Sequence, residues 1–463
     1  MMAILIATTI AMIVASVLLS SRAENAAAFY SGKDARGVAP GVMALTLSQV
    51  TTWIFARSIM NAAILGYFYG IGGALAYAAY YLSFVTGAAI VDSLRFRHGY
   101  NSIQQFLADR FGLSGPAAYN FVTGVRLLSE VFANLLVIGA IFGAAGTLAY
   151  TGAVIAIAVS VLAYAGRGGL HAAIRTDVLQ MVVFLAVLAV LIAASLTSGV
   201  FDFEAIAASS PAIDNPGWVL LAVALLQVWS YPMHDPVMMD RGLIADRATT
   251  RASFLHAAWV SVLCIMAFGV IGTMAGIAKL PGEDLMATFT RVYGIWPVLL
   301  FNIALIISCM STLDSTLASA SKLAVVDMGT GAATTQNGRI AMALFMAGGT
   351  LMVFVGSKDL FSAVAVSGTA SMFLAPVVFF SLWLGWRDVP TWSYLTAFAA
   401  AMAGATLYFV EASGYSSVMG ALTGLEHKYA KLLVICVAVM VIGCGAFVLG
   451  RVLARSRPAP STG

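Results

Sequence analysis

The chain is 463 residues long, with 10% charged residues, 61% hydrophobic residues and a mean hydropathy of +0.94. A soluble domain carries about 25% charged residues and is about half apolar, so water cannot solvate most of this chain. The formal net charge of +4 comes from basic residues scattered over short loops, not gathered on one face, which argues against a nucleic-acid surface.

Apolar runs of about 20 residues recur along the chain and name lipid as the solvent. Thirteen candidate spans follow in order. They run from Met2 to Ser20, Gly41 to Leu65, Tyr69 to Val91, Pro116 to Ala145, Tyr150 to Ala165, Thr176 to Leu196 and Trp218 to Met239. The rest are Phe254 to Ala278, Pro297 to Val326, Arg339 to Val355, Leu360 to Trp383, Trp392 to Val410 and Lys431 to Leu453. No long hydrophilic block interrupts them, so one membrane domain is expected, without a soluble appendage. Ser21-Arg22-Ala23 loosely resembles a signal cleavage site, but the start MMAILIATTI lacks a basic n-region, so the first span is expected to be retained.

Charge asymmetry sets the expected orientation. Of the 24 Lys and Arg, Arg57 and Arg126 lie inside spans. Only Lys279, Arg291, Lys358, Lys428 and Lys431 fall on the outer side, and all the others fall on or beside cytoplasmic segments if the amino terminus is outside. The carboxyl terminus is then cytoplasmic, in a plasma (inner) membrane. Cys264, Cys309, Cys436 and Cys444 sit in apolar runs without CxxC spacing and read as packing residues.

Polar residues inside spans are costly and usually mark a pathway or site. In the second span, ALTLSQVTTW crowds Thr46, Ser48, Gln49, Thr51 and Thr52 together, a cluster able to satisfy backbone groups freed at a helix break. Arg57 lies roughly 12 Å beyond Gln49 at helical rise and is expected to snorkel to the outer interface. Arg126 and Glu130, four apart in the fourth span, can neutralise each other. Entering the sixth span, GGLHAAIRTDVLQ places Asp177 at the cytoplasmic end, as an ion ligand or as a cap or partner of Arg175. The seventh span is interrupted at QVWSYPMHDP, where Pro232 and Pro236 each remove a helix hydrogen bond. Two broken helices five spans apart point to inverted repeats with solute bound at the breaks; ordinary kinks are the alternative.

The ninth span reads IISCMSTLDSTLASAS, with Ser308, Ser311, Thr312, Ser315 and Ser319 spaced three and four apart on one face. A hydroxyl stripe suits a hard monovalent cation, although small residues also permit close helix packing. Asp314 beside the stripe favours the ion, because a carboxylate is seldom kept in lipid for packing.

These motifs resemble the sodium:solute symporter family over nearly the whole chain. GGLHAAIRTDVLQMVV is similar to the family signature around its sixth helix, and SCMSTLDSTLASASKLAVVD to that in its ninth. RAENAAAFYSGKDARGVAP and NSIQQFLADRFG resemble its cytoplasmic segments. The resemblance implies an all-α polytopic protein with a leucine-transporter-type inverted-repeat fold. Residues 1–39 would form a leading helix and loop, 40–386 the ten-helix core, and 387–463 two trailing helices and a tail. It implies no enzyme, but import of a solute driven by a sodium gradient.

For the first sodium site the resemblance implies hydroxyls of Ser311 and Thr312, with carbonyls of Leu47, Val50 and Ser308. Some members bind a second sodium through the counterparts of Asp177, Ser311, Asp314 and Ser315, and this chain departs from many of them in having Asp at 314. By position, Ser48, Gln49, Thr51 and Trp53 on the first broken helix, with Tyr231 and His234 on the second, would border the solute. His234 on its own reads as a satisfied interior histidine.

TTWIFARSIMNAAILGYFYGIGG resembles the urea transporter branch more than the sugar or proline branches. The expected solute is therefore small and uncharged, such as urea, with a proline-type zwitterion as the alternative. The other expected partners are sodium and the bilayer, with no nucleic acid and no obligatory protein partner. A sensory module of the same fold is the second class of function, against which the tail RPAPSTG, carrying no signalling domain, argues. A passive channel is the third, and Asp177 with the ion stripe favours coupling over free conduction.

Overall fold

The computed structural model describes residues 1–34, 36–355 and 360–456, and among these no strand occurs. Lys358 and Arg457, both used in the charge asymmetry above, lie outside the described residues. The first half comprises α1 (Met2–Leu19), α2 (Ala26–Ser31), α3 (Val42–Trp53), α4 (Ala56–Ala79), α5 (Ser83–Val91), α6 (Ile103–Phe111), α7 (Ser114–Phe142) and α8 (Leu148–Leu196). Next come α9 (Phe203–Ala207), α10 (Pro216–Gln227), α11 (Pro236–Gly242), α12 (Arg247–Ile277), α13 (Leu285–Tyr293) and α14 (Ile295–Lys322). The chain continues with α15 (Thr335–Val355), α16 (Leu360–Ser371), α17 (Leu374–Pro376), α18 (Thr391–Ala412), α19 (Val418–Thr423) and α20 (Lys428–Arg455).

Nine described helices are long and apolar enough to cross a bilayer, or ten if the pair Ala365–Ser371 and Leu374–Trp383, bent by 42°, is one span. The protein is thus a multi-pass membrane protein, and side chains such as Leu18, Leu344 and Val441 stand exposed on outer helix faces, as lipid contact requires. Thirteen spans were expected. Gly70 and Gly169 each adopt a left-handed φ, of 65° and 59°, that breaks the helix, so the helical stretches containing them are each two helices and the expected spans on either side stay distinct. At Gly169 a Cβ would stand 2.3 Å from the Phe29 carbonyl oxygen, so only glycine fits. The seventh candidate breaks into α10, the turn Tyr231–His234 and α11, and neither helix is long enough to cross alone.

Helices α4 and α12 run against each other through small residues. A Cβ on Gly66 would lie 2.1 Å from the Gly269 carbonyl oxygen, and one on Gly272 would lie 2.1 Å from that of Ala63. Backbones that approach this closely leave no side chain to yield. Around this pair, α3 packs on α8, α12 and α14, and α7 packs on α14 and α8, enclosing the two helix breaks. Described cysteines are unpaired, and all but Cys444 are buried, in keeping with a packing role.

The glycine contact yields a first test. Gly272→Val should cost at least the ~1–3 kcal/mol typical of overpacking, seen as a lower melting midpoint or loss of the monodisperse peak in detergent. An unchanged midpoint would contradict the close α4–α12 approach.

Candidate functional site at the two helix breaks

Helix α3 stops at Trp53 and α4 starts at Ala56, leaving Ile54 and Phe55 between them. The backbone groups freed there are taken up by neighbouring helices. Tyr81 donates its hydroxyl to the Trp53 carbonyl at 2.8 Å, Ser308 Oγ donates to that of Ile54, and Ala56 N–H donates to Asn134 Oδ1 at 3.1 Å. The second break, between α10 and α11, is held in the same way. Thr86 donates to the Val228 carbonyl at 2.6 Å, Tyr119 to that of Met233 at 2.9 Å, and Asp235 caps α11 by accepting from Met238 N–H at 3.1 Å.

The breaks face each other across aromatic rings. Trp53 and Tyr231 meet edge to face with centroids 5.6 Å apart, and Tyr80 lies 5.9 Å from Tyr231. Trp53, Phe55, Ser58, Tyr77, Tyr80, Tyr81 and Tyr231 line a cavity of about 20 Å³, room for about one water. Both amide atoms of Gln49 and the Nε1 of Trp53 are buried with no hydrogen-bond partner in the protein. Gln49 and Trp53 are one helical turn apart, so they share a face of α3. A buried unpaired polar group costs about 1–3 kcal/mol; Trp53 lines the small polar-aromatic cavity, and Gln49 lies one turn before it on α3. Thr51 is also buried.

His234 lies beside Tyr231, with centroids 4.8 Å apart, and both its ring nitrogens are engaged. Nδ1 donates to the Tyr231 carbonyl at 2.7 Å, and Nε2 lies 3.1 Å from Ser367 Oγ. It is the satisfied interior histidine expected from sequence, part of the wall between the breaks.

Ser48 turns the other way. Five positions before Trp53, it lies on a different face of α3, and its hydroxyl donates to Asp177 Oδ2 at 2.6 Å and accepts from Arg241 Nε at 2.7 Å. The side chain expected at the solute therefore points into a charged cluster. Ser311 donates to Asp177 Oδ1 at 2.7 Å, and Ser315 lies within hydrogen-bond distance of both Asp177 and Asp314. Thr176 donates to Asp314 Oδ2 at 2.9 Å. Asp177 and Asp314 are fully buried, as is Arg241, which reaches Asp177 at 3.0 Å. Asp177 is therefore neither a helix cap nor a partner of Arg175.

On the hydroxyl stripe, Thr312 Oγ1 is buried without a partner, while Ser308 spends its hydroxyl on Ile54 and leaves its carbonyl. Leu47 and Val50 lie within helical α3, not in the unwound residues, and Val50 O accepts from Ile54 N–H at 2.9 Å. Only second lone pairs of these carbonyls are open to an ion.

A second buried charge group borders the aromatic cavity. Arg57 and Arg126 both pair with Glu130, and Arg126 also reaches Asp235 at 2.7 Å. The Arg126 guanidinium stands 5.3 Å from the Tyr231 ring centroid, and that of Arg57 stands 5.4 Å from Phe55. The snorkelling expected of Arg57 is overturned, since its side chain is fully buried. Glu130 draws it inward, because a paired charge in the protein is cheaper than an unpaired one in lipid. Sequence reading missed Arg241 and Asp235. The signal was present in HDPVMMDRG, where Asp235, Asp240 and Arg241 cap or sit on a proline-started helix, but Arg241 was counted as a cytoplasmic charge.

The fold is shared with known transporters. A Na+-coupled sialic acid symporter in a substrate-bound outward-open state is similar at a TM-score of 0.72 and 14% identity, with 98% of each chain covered. Mhp1 in an inward-facing conformation is similar at a TM-score of 0.53 and 14% identity, covering 95% of this chain and 98% of that one. No family model and no curated protein sequence matches the chain. At such low identity the likeness speaks to fold, and the fold is of the leucine-transporter type.

Removing Glu130 strands the buried Arg57 guanidinium and leaves Arg126 with Asp235 alone. Glu130→Gln should destabilise the protein by about 3–5 kcal/mol, read as a marked fall in the melting midpoint in detergent. A midpoint equal to that of wild type would mean that the ion pairs contribute no stability.

Proposed function

We propose that the protein is a sodium-coupled symporter importing a small, neutral, polar solute such as urea or a compact amide. Supporting the solute reading most directly are the unpartnered indole N–H of Trp53, which lines the aromatic cavity, and the unpartnered amide of Gln49 one turn before it on α3. Together they offer donors and an acceptor within apolar walls, the usual make-up of a pocket for a neutral polar molecule. Gln49, Thr51, Trp53 and Tyr231 would contact the solute, and His234 would hold the wall. The two arginines near the cavity are matched by Glu130 and Asp235, so that cluster carries no formal net charge, which favours a neutral solute over an anion.

Sodium would bind at the hydroxyls of Ser311 and Thr312 and the carbonyls of Leu47, Val50 and Ser308. The unpartnered Thr312 hydroxyl and the carboxylate of Asp177 next to Ser311 support that choice. The proposed ion and solute residues on α3 lie within six positions of one another, so occupancy of one site would bear on the shape of the other. The amino terminus would lie outside and the carboxyl terminus in the cytoplasm, with residues 40–386 as the transporting core.

Uptake into proteoliposomes tests the reading. Labelled urea should accumulate under an inward sodium gradient, and competition by urea analogues but not by amino acids should follow. Accumulation that ignores sodium would refute symport, and inhibition by proline or carboxylates alone would refute the neutral solute. Thr312→Ala should raise the half-saturating sodium concentration about tenfold, equivalent to about 1.4 kcal/mol, with solute affinity at saturating sodium little altered. Gln49→Ala should do the reverse, raising solute KM by about tenfold or more, since a site that hydrogen-bonds its ligand loses most when a partner is removed.

A further inference from the structure

Arg241 occupies the centre of the oxygens that a second ion would need. Its Nη2 donates to Asp177 Oδ2 at 3.0 Å and to Ser315 Oγ at 2.6 Å. Nε donates to Ser48 Oγ at 2.7 Å and Nη1 to the Val237 carbonyl at 2.9 Å. All three nitrogens are thus engaged, on α3, α8, α11 and α14, and the side chain is fully buried. We propose that the Arg241 guanidinium is a built-in cation standing where a second sodium would bind, so that the protein couples one sodium to each solute. The proposal rests on the symport reading above and fixes its stoichiometry.

Three observations carry it. A sodium ion and a guanidinium N–H compete for the same carboxylate and hydroxyl lone pairs, and Asp177 Oδ2 and Ser315 Oγ are already committed. A second cation placed among them would also lie within a few ångströms of a like charge in a dry interior, where repulsion is poorly screened.

The charge balance agrees. Asp177, Asp314 and Arg241 are the charged side chains of this cluster, and together they leave one formal negative charge uncompensated. Lys322 pairs separately with Asp240 and Asp327 and does not reach Asp177 or Asp314 among the described contacts. One sodium at the adjoining stripe, where Ser311 bonds to Asp177 and Thr312 is unpartnered, brings the cluster to neutrality. Two would leave it positive.

Finally, arginine does not lose its proton in proteins. Unlike a bound ion, its charge neither enters with the solute nor leaves with it. It ties the first broken helix to α8 and α14 permanently, at the cost of the second ion's share of the gradient as driving force.

Binding of radioactive sodium to the purified full chain in detergent, counted per protein by scintillation proximity, tests this directly. Wild type should bind one sodium. Arg241→Gln retains hydrogen-bonding groups but removes the charge, and should bind two, with a sodium-activation Hill coefficient rising above one. Arg241→Lys keeps the charge and should stay at one. Two sodium ions on wild type would overturn the proposal while leaving symport intact, as would a monodisperse Arg241→Gln protein that still binds one. No sodium on wild type would instead sink the symport reading. Should Arg241→Gln not fold, the wild-type and Arg241→Lys counts still decide.

Discussion

Hydrocarbon offers a broken helix nothing to bond with, and the rest of this structure follows from that. Every peptide group freed at Ile54–Phe55 or between Val228 and Asp235 needs a partner from protein. Tyr81, Ser308, Asn134, Thr86 and Tyr119 supply those partners from four other helical segments, so each break is fixed by elements distant in sequence. Hydroxyls and amides placed for that purpose also make the surroundings polar enough to hold an ion and a small solute. The irregular backbone and the site are therefore one feature seen from two sides.

Buried charge obeys the same constraint. Seven charged side chains, Arg57, Arg126, Glu130, Asp177, Asp235, Arg241 and Asp314, lie deep in the protein, and each of the three arginines is in contact with a carboxylate. Asp314 instead meets the hydroxyls of Thr176 and Ser315. The Arg126 group closes on itself electrically, whereas the Asp177 group is left one charge short. That asymmetry separates a wall, which holds the breaks together, from the group at which the proposed sodium would offset the charge.

Much of this was legible in the sequence. Polar crowding at ALTLSQVTTW and the prolines of SYPMHDP marked both breaks, and the three-and-four spacing from Ser308 to Ser319 marked the buried stripe. Facing direction was harder to read. Ser48 and Gln49 are neighbours in sequence, but a helix turns about 100° per residue, which sends Ser48 to Asp177 and puts Gln49 on the face it shares with Trp53. Arg57 and Arg241 were misjudged because hydropathy treats a charge near a span end as bound for the interface. Their carboxylate partners, Glu130 and Asp177, lie 73 and 64 positions away. The breaks at Gly70 and Gly169 fall at or between the boundaries of the expected spans, although a glycine in an apolar run does not itself announce a left-handed turn.

The central claim is that ion and solute are held at one pair of helix breaks and so bind interdependently. Coupling between two sites is reciprocal, and binding of labelled solute to the purified protein in sodium and in choline measures it without any transport step. The account predicts that affinity for a urea-class solute rises by at least severalfold in sodium, and that the solute tightens sodium binding by the same factor. Equal solute affinity in sodium and choline would contradict it.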